Sequence, residues 1–171
     1  NFIILLVDGA HANNDNFIAQ NIPSYRMSEF INCFLNLVMK NENFGLIIKS
    51  KKPEILKKLS KIDKRLAEVK KTNRCVVIDT FGSEPKIYSE LADMSVGISV
   101  DFPTALLQIA ISGSRSIIYD YSNFRPSEKL LYSWGENKVI FNDLDRILKE
   151  FLNSISRRIK GLNCSARLIL E

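Results

Sequence analysis

Short, unbroken apolar runs recur along this chain, each separated from the next by polar loops and helix-patterned sequence. They are "FIILLV" (2–7), "FGLIIK" (44–49), "RCVVID" (74–79), "SVGIS" (95–99), "SIIYD" (116–120) and the shorter "KVIF" (138–141). None alternates apolar with polar residues, so each reads as a strand buried on both faces. Between and after them, "MSEFINCFLNLVMK" (27–40) sets Phe30, Phe34, Leu37 and Val38 at helical spacing, and further helices are predicted around "EPKIYSELA", "PTALLQIAIS", "SEKLLYSW" and "DLDRILKEFLNSISRR". Strands alternating with helices imply a parallel sheet with right-handed crossovers, an α/β fold that is doubly wound and Rossmann-like, with about six strands and helices on both faces. In the common order 3-2-1-4-5-6, the first and fourth strands are neighbours where the winding reverses, and a ligand binds outside their carboxyl ends.

A length of 171 residues suits one domain, read here as 1–153 followed by a tail at 154–171 that is apolar enough to dock on a partner. The strand-like opening is what an excerpt of a longer polypeptide would show. No stretch approaches the roughly 20 apolar residues that span a bilayer, and no signal-peptide pattern is seen, so a cytoplasmic address is expected. Cys33, Cys75 and Cys164 are odd in number and lack a histidine cluster, which points to buried or spare thiols and to neither a disulfide framework nor a metal site. The net charge of +5 is local: residues 49–74 hold eleven Lys or Arg against three acids, a net +8, leaving −3 for the rest. This segment reads first as a solvated helix whose inner stripe is Ile55, Leu59, Ile62 and Leu66, and second as a surface for anionic headgroups at the inner face of a membrane. It carries no aromatic residue to stack bases, and no nucleic-acid partner is expected.

The switch point would be built by "DGAH" after the first strand and "SVDFPT" after the fourth, with "TFGSEP" after the third alongside. The start of the helix after "ISVDF" offers free N–H groups and a positive dipole end to a phosphate, and Thr104 adds a hydroxyl. Asp101 and Pro103 also fit a plain cap and first turn. Gln108, the one polar residue after Thr104 in "TALLQIAI", is a candidate for a ligand hydroxyl or for a backbone carbonyl. Lys49 ends the second strand and can neutralise a pyrophosphate; it is equally one of eleven basic residues in its segment. His11, the sole histidine, follows the first strand and is the candidate for acid–base transfer, with a structural role as the alternative. No GxGxxG follows the first strand, and neither a Walker phosphate loop nor a GxSxG elbow occurs, which disfavours dinucleotide reductases, P-loop enzymes and α/β-hydrolases.

The order of "LIIKSKKPE", "IDTFGSEPKIYSELADMSVGIS", "PTALLQIAISGSRSIIYD" and "NKVIFNDLDRILKEFL" resembles the carboxyl-terminal, donor-binding half of GT-B-fold glycosyltransferases of bacterial surface polysaccharide assembly, over roughly residues 2–153. The resemblance implies that Phe81 and Gly82 face the nucleobase, that Lys49, Ser99 and Thr104 attend the diphosphate, and that Gln108 stands where such enzymes usually carry a ribose-binding acid. It implies a nucleotide sugar as substrate, no cofactor, metal-independent transfer, and an amino-terminal acceptor domain as partner. Two alternatives share the architecture: a non-catalytic binding or assembly module, and an enzyme like the nucleotide-sugar 2-epimerases.

Overall fold

The computed structural model describes residues 2–8, 22–50, 56, 59–78, 88, 90–99, 104–121 and 139–168, with the backbone alone described at 60, 61, 63, 99, 104 and 158–168. Its strands are β1 (Phe2–Val7), β2 (Phe44–Lys49), β3 (Cys75–Ile78), β4 (Met94–Ser99), β5 (Ser116–Asp120) and β6 (Ile140–Phe141). They form one six-stranded sheet in the order β3-β2-β1-β4-β5-β6, and every pairing is parallel. This is the doubly wound order expected from the sequence. The described helices are α1 (Ser24–Lys40), α2 (Ser60–Lys71), α3 (Thr104–Ile111) and α4 (Leu144–Leu168).

Strand alternation divides the core into two layers. Ile4 and Leu6 of β1, Leu46 and Ile48 of β2 and Val96 and Ile98 of β4 face a layer shared with Phe30 and Phe34 of α1, Ile62 of α2 and Phe151 of α4. Leu5 and Val7 of β1 and Ile118 of β5 face the opposite layer, with Leu106 and Ile109 of α3. Phe151 is the aromatic hub of the first layer: its ring meets Phe2, Phe34 and Phe44 edge-on at 5.2, 6.5 and 5.7 Å. Rings meeting edge to face in this range gain energy beyond the area they bury.

Gly97 decides how α3 sits. A Cβ there would run into the Leu106 side chain and lie 3.1 Å from the Val7 carbonyl, so only glycine allows α3 to close on β4. The turn after α3 needs a second glycine, Gly113, whose φ of 89° lies in the left-handed region. Across the sheet, Asn73 fills the matching place after α2 at φ 57°, and Arg74 donates to the carbonyls of Val38 and Asn41, closing the end of α1.

Two helix bounds differ from the sequence reading. α1 starts at Ser24, ahead of the apolar spacing, because Pro23 presets φ at −57° and the Met27 N–H donates to its carbonyl. α4 runs to Leu168, ten residues past "SISRR", so the stretch read as a tail begins inside the helix. The basic segment does carry Leu59, Ile62 and Leu66 buried on one side, with Lys64, Arg65, Lys70 and Lys71 exposed; Ile55 lies outside the described residues. So do the helices expected at 127–134 and, apart from Tyr88 and residues 90–92, at 84–92.

Candidate functional site

The winding reverses between β1 and β4, which pair side by side with Val7 opposite Gly97. Because β4 continues two residues past that pair to Ser99, its carboxyl end overhangs that of β1. On the other side Val7 lies opposite Lys49, the last residue of β2. Lys49, Val7 and Gly97 therefore form one row across the sheet, directed to the layer of α3.

Lys49 is 5% exposed, and its Nζ donates to the Ser50 carbonyl at 3.0 Å, its one hydrogen bond among the described residues. A lysine ammonium carries three donors and is costly to bury without acceptors. Ser50 is fully buried, and its hydroxyl donates to Asp8 Oδ2; the Asp8 N–H in turn approaches the Lys49 carbonyl at 3.5 Å. The edge formed by β1 and β2 thus presents an ammonium, a hydroxyl and a carboxylate braced by their own backbone. Asp8 and Ser50 matter here through each other. The sequence placed Asp8 only within "DGAH" at the switch point, and nothing in it paired the two.

Of the residues singled out from the sequence, Lys49, Ser99 and Thr104 all fall at this carboxyl edge: Lys49 ends β2, Ser99 ends β4 and Thr104 opens α3. Gln108 follows Thr104 by one helical turn and is exposed, on the side of α3 away from buried Leu106 and Ile109. His11, Phe81, Gly82, Asp101 and Pro103 lie outside the described residues.

A concavity lies on the other layer, where sequence reasoning placed nothing. It is an open groove of about 750 Å³ between α1 and the start of α4, lined by Glu29, Asn32, Cys33, Asn36, Tyr119 and residues 142–145. Glu29, Asn32, Cys33 and Asn36 share one face of α1 at spacings of three and four, a polar stripe beside the apolar one that periodicity does reveal. Burial, with Asp145 and Glu29 adding, pushes the Cys33 thiol up to about 11. Burial also raises Tyr119, with Glu29 and Asp143 reinforcing and Arg26 opposing. The groove is therefore electronegative and would repel a diphosphate. Among the described residues no three His, Cys, Asp or Glu side chains are grouped so as to hold an ion.

Of the two places, only the carboxyl edge at β1 and β4 combines a buried cation with a helix start. Set beside known proteins, the chain matches no family model, no curated protein and no solved structure.

Proposed function

We propose that this chain is the donor-binding domain of a GT-B-like glycosyltransferase that holds a nucleotide sugar at the carboxyl edge of β1 and β4. The observation carrying this reading is the adjacency of those two strands at the winding reversal, with Lys49 one strand away. In such a site the Lys49 ammonium and the N-terminal amides of α3 stabilise the charge that grows on the departing nucleoside diphosphate. Thr104 adds a hydroxyl to the phosphates, and Gln108 offers an amide to the ribose. The bracing of Lys49 by Ser50 and Asp8 supports the reading because it fixes the cation before ligand arrives, which lowers the ordering cost of binding. Transfer to a polysaccharide or lipid-linked acceptor is the work of the amino-terminal half of such enzymes.

Calorimetric titration with UDP, GDP, CDP and CMP sugars tests the site. Saturable binding of one donor is expected, weakened about tenfold or more in Lys49→Met, which keeps the side-chain volume while removing the charge-assisted bond. Thr104→Ala is expected to weaken it less. A chain that folds normally yet binds none of the donors would remove the donor site and leave a non-catalytic assembly module on the same scaffold.

A further inference from the structure

Apart from Lys49, the basic segment finds no use in the site just described. In a parallel sheet each crossover helix runs antiparallel to the strands, so α2 ends at the amino edge, opposite the candidate site. Its apolar residues Ile62, Leu66 and Val69 are buried, leaving Lys64, Arg65, Lys70 and Lys71 in solvent, with Glu68 the one acid among the side chains described on this helix. Lys40 ends the neighbouring α1 at the same edge, offset by Glu42 in the following turn. The sequence on either side of α2 adds to the excess: residues 50–74 hold ten Lys or Arg against three acids, a net +7.

We propose that the outward face of α2 docks on an anionic lipid bilayer. The face exposes charge and no aromatic or large apolar anchor, whereas protein interfaces concentrate their energy in buried anchors of that kind. Charge alone suits a fluid array of headgroups that can gather under it. A nucleic-acid duplex fits less well: its major groove admits a helix that stands clear of the protein, but α2 lies packed against α1 in a common layer. Single strands want stacking platforms, and residues 49–74 contain no aromatic side chain. Docking through α2 is peripheral, since no described helix is long and apolar enough to cross a membrane. It leaves the carboxyl edge of the sheet facing solvent, and it holds whether or not a nucleotide sugar binds there.

Co-sedimentation of the 171-residue chain with phosphatidylcholine vesicles, with and without phosphatidylglycerol, tests this surface. Binding is expected only where the anionic lipid is present, and it should fall as salt is raised and shortens the screening length. K64Q/K71Q should lower the partition coefficient about tenfold, K64R/K71R should retain it, and R146Q/K149Q, which removes two exposed charges from α4, should change it less than about twofold. Circular dichroism checks that each variant keeps its helices. Equal binding to neutral vesicles, equal loss in the two glutamine pairs, or tighter binding to a DNA duplex than to anionic vesicles at the same salt would overturn the proposal.

Discussion

At the scale of single residues, burial sets the chemistry of the two described thiols. Cys75 on β3 and Cys33 on α1 are both unpaired, and burial pushes each from 9.0 to about 11; Lys70 opposes the shift at Cys75, while Asp145 and Glu29 add to it at Cys33. A thiol whose folded pKa exceeds its unfolded one holds its proton more tightly in the native state. Between pH 9 and about 11 the unfolded chain has therefore lost protons that the folded chain keeps, and stability falls as pH rises through that window. The urea midpoint should be flat with respect to these thiols below pH 8 and decline above pH 9, and C33A/C75A should flatten that decline. An unchanged slope in the double variant would mean that other groups govern the alkaline limb, Tyr119 and Tyr121 first among them, since burial raises both. The same thiols should react sluggishly with neutral-pH alkylating reagents until the chain unfolds, because the thiolate is the nucleophile.

At the scale of elements, the seating of α3 on β4 depends on an absent side chain. Leu106 fills the space above Gly97 and packs in a layer with Leu5, Val7, Ile109 and Ile118, so it has little room to turn away from a new methyl group. Gly97→Ala is accordingly expected to cost about 1–3 kcal/mol in urea unfolding, as overpacking does. Gly45 on β2 supplies the control: among the described residues a Cβ there would meet only the Arg74 carbonyl and Ile3, each at 3.7 Å, and Gly45→Ala should be neutral or slightly stabilising. If both variants unfolded alike, the close approach of α3 would not be what Gly97 provides. The elements themselves were largely legible in the sequence because strands buried on both faces leave unbroken apolar runs, and β2 and β5 match "FGLIIK" and "SIIYD" residue for residue. Helix ends were less so. α4 runs ten residues past the end expected at "SISRR", and helix ends are set less by local pattern than helix centres are. The candidate site divides the same way: the position of Lys49 at a strand end was readable, but its burial was not, nor was the link from Ser50 to Asp8, which joins residues 42 apart in the chain.

At the scale of the whole molecule, the strand order that brings β1 and β4 together also encloses β1 in the middle of the sheet. It has a partner on each side, and its Ile4, Leu5 and Leu6 are buried under both helical layers. The edges are weaker: β3 leaves Val76 54% exposed, and β6 pairs with β5 through two residues. Opening an edge strand breaks one ladder, whereas opening β1 breaks two and uncovers both layers, so local unfolding should proceed inward from the edges. Native-state hydrogen exchange measured against denaturant should accordingly find the Ile4–Val7 amides exchanging only through global unfolding, with those of β6 released by smaller openings. α4 complicates the order in a useful way, since Phe151 reaches from the end of the chain to Phe2 on β1 and Phe44 on β2. If Phe151 ties the carboxyl-terminal helix to the central strands, α4 amides near it should exchange with β1 even though β6, just before it in sequence, opens early. Early exchange of α4 together with β6 would instead make the last strand and helix a separate cooperative unit, and would mean that the aromatic hub contributes little to holding the first layer closed.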